Sequence, residues 1–125
     1  MNEKQISEVL KALYNPTSNC HDMTFTYSEL KGLVSLGIAN LNERQNESPS
    51  ILEFLEFCES AMTSEEEVIF EGYIVTNRED SRVSITTIRL VKSLASARTV
   101  KDFFDKFSEA DEFDNYEDHY RAWWD

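Results

Sequence analysis

Few side chains in this chain are of types and spacings that do chemistry. The two histidines, His21 and His119, lie far apart in the sequence. Cys20, His21 and Asp22 are consecutive, and three consecutive residues cannot easily aim at one ion. Zinc sites draw instead on spaced pairs such as CxxC with HxxxH. Cys20 or Cys58 paired with His119 as nucleophile and base would lack any supporting local signature. Five acids run from Asp111 to Asp118 (Asp111, Glu112, Asp114, Glu117, Asp118), without the glycine and alternating ligand spacing of a calcium loop. Glu65-Glu66-Glu67 reads as a solvated turn. Nothing resembles a phosphate-cradling glycine loop. The sequence therefore assigns no catalytic residue, no metal ligand and no cofactor.

Interaction chemistry is better represented. The stretch DEFDNYEDHYRAWWD, Asp111 to Asp125, interleaves acids with aromatics. Exposed tryptophan and tyrosine are strong anchors when a partner supplies a pocket. The partner-binding set is therefore Asp111, Glu112, Asp114, Tyr116, Glu117, Asp118, Tyr120, Trp123 and Trp124. Phe113, Tyr116, Tyr120 and Trp123 step by three, four and three residues, which predicts a helix with an aromatic stripe. In that helix Arg121 follows Glu117 by four residues, a supporting pair. The competing use of these rings is to pack onto the domain itself.

Charge narrows the partner. The chain carries a net charge of −12, and residues 101 to 125 hold nine acids and three bases, half of that total. Such a surface repels nucleic acid and anionic membrane and attracts cationic partners. RNA-stacking aromatics at Phe70 and Tyr73 are opposed by the same charge. Residues 78 to 101 hold six bases (Arg78, Arg82, Arg89, Lys92, Arg98, Lys101) against Glu79 and Asp80. Pairing of Arg78, Arg82 and Arg89 with Asp111, Asp114 and Asp118 is the economical expectation.

The elements that must position these groups follow from periodicity. At 125 residues, 41% hydrophobic and 12% aromatic, the chain has the size and apolar content of one packed domain spanning 1–125. Ile6, Val9, Leu10, Leu13 and Tyr14 mark one face of a first helix, ended by Asn15-Pro16. Residues 16 to 25 read as a loop. A second helix starts at Thr26, with Glu29 completing a capping box. Its stripe is Leu30, Leu33, Val34, Ile38 and Leu41, and Gly32 and Gly37 inside it suit close packing against another helix. A third begins with Ser48 as N-cap and Pro49 in the first turn. It presents Ile51, Leu52, Leu55, Cys58, Ala61 and Met62, with Phe54 and Phe57 widening the band.

The period then changes. Glu67–Val75 and Arg82–Val91 are rich in β-branched and aromatic residues and predict an antiparallel hairpin. Apolar residues fall on both faces of the first strand, so both call for cover, one from helices and the other from the tail or a second copy. Residues 93 to 98 are ambiguous. Thr99 with Asp102 marks a further helix start, and Val100, Phe103, Phe104 and Phe107 form its apolar edge. The expected class is α+β: an N-terminal three-helix unit, an antiparallel β-hairpin, and C-terminal helices ending in the acidic-aromatic segment.

Three function classes are open at this point. The leading one is a small acidic protein-binding module that docks on a basic partner or imitates a nucleic-acid surface. The second is a self-associating structural protein, a homodimer through the hairpin. The third is an enzyme using Glu or Asp with His21 or His119. No run of about 18 apolar residues occurs, so no membrane-spanning helix is expected. With two cysteines and no basic-then-apolar signal pattern, a cytoplasmic setting is expected.

Overall fold

The computed structural model describes residues 20–75 and 82–125. The elements are β1 (Cys20–Phe25), α1 (Tyr27–Ser35), α2 (Ile51–Ala61), a 3-10 turn (Glu65–Glu67), β2 (Val68–Val75), β3 (Arg82–Val91), α3 (Ala97–Phe107), β4 (Glu112–Asn115) and β5 (His119–Trp123). The five strands form one antiparallel sheet in the order β1-β2-β3-β5-β4, so the class is α+β. The helix expected over residues 6 to 14 and the link between β2 and β3 lie outside the described residues.

Local chemistry explains where each helix starts and stops. At α1 the Thr26 hydroxyl accepts from the Glu29 N–H at 3.3 Å, and the Glu29 carboxylate accepts from the Thr26 N–H at 3.1 Å. That is the capping box expected from sequence. The helix ends at Ser35, and Gly37 follows in the left-handed region at φ 76°. The Gly37 and Ile38 N–H groups donate back to the carbonyls of Val34 and Leu33, a Schellman stop. Gly37 therefore terminates the helix, and a Cβ there would meet nothing within 4 Å. Its role is conformational, not the close packing inferred from sequence.

The expected cap of α2 is displaced by two residues. Ser50, not Ser48, is the N-cap, and it shares a capping box with Glu53 at 3.2 and 3.3 Å. Ser48 is buried in the preceding loop, where its hydroxyl accepts from the Gln45 N–H at 2.8 Å. At α3 the cap is Ser96, whose hydroxyl accepts from the Thr99 N–H at 3.1 Å. Thr99 sits one turn inside, buried, and donates to the Ala61 carbonyl at 2.7 Å. Ser50 stands directly before buried Ile51, where the apolar face of α2 begins, as a cap requires.

The helices cover one face of the sheet. Phe54 of α2 packs edge-on against Phe70 of β2 at 5.5 Å and against Trp124 at 5.6 Å. Phe57 meets Phe103 and Phe107 of α3 at 6.1 and 5.0 Å, so α2 is contacted on more than one side, as its wide apolar band implied. The sheet contributes Val68, Phe70, Ile74, Val83, Ile85, Ile88, Leu90 and Ala122, all buried.

One irregularity keeps that face continuous. Glu71 pairs with Thr87 but Gly72 pairs with Ile85, which leaves Thr86 as an extra residue in β3. A one-residue insertion reverses the parity of the strand. Val83 and Ile85 on one side of Thr86, and Ile88 and Leu90 on the other, thereby all face the helices. Gly72 lies opposite this bulge, where a Cβ would come within 2.0 Å of the Ser84 carbonyl oxygen. The obstacle is backbone and cannot rotate away. Gly72→Ala is expected to destabilise the fold by about 1–3 kcal/mol through overpacking. An unchanged midpoint in urea unfolding would contradict this.

The C-terminal segment departs from expectation most. The predicted helix over residues 113 to 124 is a β-hairpin, β4 and β5, and β5 pairs with β3 from Thr87–Trp123 to Val91–His119. The expected loop at residues 16 to 25 contains β1, paired with β2 along its whole length. In both places the competing influence is an unpaired strand edge. Hydrogen bonding to β2 and β3 decides the conformation, and local periodicity does not.

Candidate functional site

The β4–β5 hairpin holds the sequence-derived set, and the strand geometry divides that set. Alternation sends Tyr120 and Ala122 to the helix-covered side, with Trp124 just beyond the strand, and sends Arg121 and Trp123 to the other face. Trp124 is buried between Phe54 and Phe107 at 5.6 and 5.9 Å, so it is a core residue and leaves the binding set. Tyr120 is half-buried against Phe104 at 5.0 Å, with the Lys92 ammonium 4.6 Å above its ring. Trp123 is half-buried on the open face beside the Arg121 guanidinium at 5.8 Å. Tyr116 is 45% exposed and stacks on His119 at 4.8 Å.

The acids remain outside. Asp111, Glu112, Glu117 and Asp118 are exposed, and Asp114 is half-buried. Asp114 receives Arg121 at 3.0 Å across the hairpin, with Glu112 at 4.0 Å from the same guanidinium. Arg121 is therefore matched to a cross-strand neighbour, not to Glu117 four residues earlier. Asp118 lies 2.6 Å from His119 Nδ1, and that hydrogen bond holds its carboxyl below the usual aspartate range. Asp111 accepts from the Asp125 N–H at 2.8 Å. Glu117 has no partner among the described residues.

Of the arginines expected to meet these acids, Arg89 is the one whose side chain is described, and its positive charge acts on Asp118 without a direct ion pair. Arg89 turns to Glu71 of β2 at 2.9 Å, and Lys92 donates to the Asn115 side chain. The side chains of Arg78 and Arg82 lie outside the described residues. Among the described residues, the acids of the hairpin outnumber the cations that face them.

The open face of the sheet is not the second apolar layer that the sequence suggested. Beside Ile69 and Tyr73 of β2 stand Arg89, Thr87 and Ser84 of β3 and Arg121 of β5. The Asn40–Ser48 loop covers one end, with Glu43 accepting from the Ser84 hydroxyl at 3.0 Å and the Tyr73 hydroxyl donating to Gln45 at 2.6 Å. Ser84 and Thr87 on this face are buried, and the tail adds Arg121 and Trp123 to it.

A depression of about 940 Å³ opens at the end of the hairpin, lined by Arg89, Val91, Lys92, Ser93, Glu117, Asp118 and His119. His119 thus lines a surface concavity beside an aspartate. No hydrogen bond joins the Ser93 hydroxyl to His119, so the concavity lacks a nucleophile coupled to a base among the described residues. Its cations Arg89 and Lys92 are engaged by Glu71 and Asn115, His119 is hydrogen-bonded to Asp118, and Glu117 is open. Among the described residues no three His, Cys, Asp or Glu side chains come together where a metal ion could be held. Cys58 lies on the buried face of α2, and burial, with Glu59 and Glu67 nearby, pushes its thiol up to about 12. It is a packed hydrophobe and not a nucleophile.

Two features escaped the sequence. Glu67, placed in a solvated turn by its two acidic neighbours, is fully buried. Its Oε2 accepts from the Thr63 N–H at 2.8 Å, the Thr63 hydroxyl at 2.9 Å and the Ser64 N–H at 3.0 Å. The helix side of β4 carries an aromatic group in which Phe104, 37% exposed, touches Phe113 at 4.9 Å. Glu67 does carry a local signature, the S-x-x-E spacing from Ser64 that forms a capping box, whereas the aromatic group depends on elements brought together by the fold. Among the described residues no helix is long and apolar enough to cross a membrane. No family model matches the chain, and no curated protein or solved structure matches it.

Proposed function

We propose that this chain is a protein-docking module that recruits a basic partner through the β4–β5 hairpin. The observation that carries the reading is the local excess of acids. Glu112, Glu117 and Asp118 project from the hairpin, while Arg121 and His119 are each held by a carboxylate already. Tyr116, exposed at the turn, offers an aromatic contact in their midst. Surface charge of one sign steers an oppositely charged partner and sets its on-rate. Trp123 and the solvent side of Tyr120 complete the surface. A cytoplasmic setting belongs to the same proposal.

The test reverses charge where folding does not depend on it. Glu112→Lys with Glu117→Lys alters two exposed residues. The unmodified protein should retain basic proteins from a lysate at low salt and release them as ionic strength passes the physiological range, where exposed charges are screened beyond about 8–10 Å. The double variant should retain roughly tenfold less at low salt, the loss of about 1.4 kcal/mol. Retention that is indifferent to both salt and charge reversal would defeat the proposal.

A further inference from the structure

β4 is the last strand of the sheet, and among the described residues it has a neighbour on one side only. The orientation of its backbone follows from the turn. The Tyr116 N–H donates to the His119 carbonyl at 2.9 Å, so Tyr116 belongs to a hydrogen-bonded pair. Antiparallel pairing alternates, which makes Asp114 with Arg121 and Glu112 with Trp123 the other bonded pairs. The N–H and C=O groups of Phe113 and Asn115 therefore point away from β5, toward the free edge.

The two flanks of that edge differ in chemistry. On the open side lie the Glu112 and Asp114 carboxylates, and Arg121 is the cation set against both. On the helix side Phe113 is half-buried and Phe104 stands beside it, 37% exposed. A strand laid along β4 would place alternate side chains on these flanks. One set would meet carboxylates and the other would meet aromatic rings.

From this juxtaposition we infer that β4 accepts an extended segment of the partner in which basic and apolar residues alternate, adding it as a sixth strand. The inference rests on the proposed recruitment of a basic partner and specifies how that partner is held. A second copy of this chain is the poorer occupant. Antiparallel pairing of two β4 strands about Phe113 and Asn115 would set Asp114 directly against its own counterpart, and like charges directly opposite are destabilising. The same acids that would attract a basic strand keep two copies of the edge apart.

Three synthetic peptides of equal charge separate the contributions. The first alternates lysine and valine over eight residues. The second has the same composition in two blocks. The third is the alternating peptide N-methylated at every valine, so that these residues cannot donate backbone hydrogen bonds. The alternating peptide should bind about tenfold tighter than either control, the worth of one or two net hydrogen bonds. Its binding should also slow amide exchange at Phe113 and Asn115. Charge reversal at Glu112, as Glu112→Lys, should weaken it while circular dichroism shows the protein still folded. Equal binding of all three peptides, lost in high salt, would overturn the strand addition while leaving electrostatic recruitment standing. Binding of none of them would remove both. Concentration-dependent dimerisation with protection at Phe113 and Asn115 in the absence of peptide would show the second copy to be the occupant and overturn the assignment.

Discussion

Deleting residues 113 to 125 is expected to abolish cooperative folding at room temperature. The segment supplies β5, the only described partner of β3 on that side, and four core contributors: Trp124, Ala122 and the half-buried Phe113 and Tyr120. Truncating one buried tryptophan to alanine typically costs about 3–5 kcal/mol. Removing the strands as well strips cover from Ile88 and Leu90 and opens an apolar edge. Domains are stable by only about 5–15 kcal/mol, so the sum exceeds what a small domain holds in reserve. Far-ultraviolet circular dichroism against temperature is the measurement, since both tryptophans are lost with the segment. Point variants assign the effect. Trp124→Ala should lower stability by about 3–5 kcal/mol, and Trp123→Ala, on the open face, by much less. A truncated chain that melts with the full one, or a reversed order of the two tryptophans, would show that this hairpin is not part of the core.

Glu67→Ala is the second large effect, on the order of 4 kcal/mol. The carboxylate satisfies the N–H groups of Thr63 and Ser64 and the Thr63 hydroxyl at the junction of α2 and β2. Stranding a buried donor costs about 1–3 kcal/mol, and two backbone donors would be stranded here. Burial alone would push the Glu67 carboxyl up, but hydrogen bonds from Thr63 and Ser64 outweigh it and hold it below the ordinary glutamate range. The sign for stability follows. A depressed folded value means that ionised Glu67 stabilises the fold above the unfolded value of about 4.3, and that the contribution disappears as pH falls through the folded value. Glu67→Gln, which cannot ionise, should therefore trail the natural protein at pH 7 and approach it in the acid range. A stability gap that stays constant from pH 7 down to pH 3 would mean the charge is irrelevant and only the shape of the side chain counts.

What the sequence discloses, and what it withholds, follows a physical division. The strands Glu67–Val75 and Arg82–Val91 were legible because they are β-branched and aromatic throughout, and α1 because Thr26 and Glu29 cap it within four residues. The tail was not. Phe113, Tyr116, Tyr120 and Trp123 fit a helical period, but Tyr120, Ala122 and Trp124 fit a strand period equally well. Only the vacant edge of β3, a non-local feature, decides between them. β1 was hidden for the same reason, since Met23 and Phe25 alternate with Asp22 and Thr24 too briefly to signal a strand. The acids of the binding set were visible as charge. Which of their aromatic neighbours stays available was not, because that depends on parity within β5. A one-residue shift would exchange Trp123 for Trp124. The bulge at Thr86 was written in the sequence, in the change of apolar parity from Val83 and Ile85 to Ile88 and Leu90.

The position of β5 between β3 and β4 has a consequence for the birth of the protein on the ribosome. The strand that completes the centre of the sheet is the last of the five to be synthesised. At about 5–20 residues per second, the stretch from Val91 to Trp124 takes roughly 2–7 s to translate. Until Trp124 has cleared the exit tunnel, the nascent chain carries β3 with Ile88 and Leu90 on an uncapped border and Phe54 without its indole neighbour. Vectorial synthesis therefore leaves this border exposed from the emergence of β3 until Trp124 has left the tunnel. A holding chaperone would do most good in that interval.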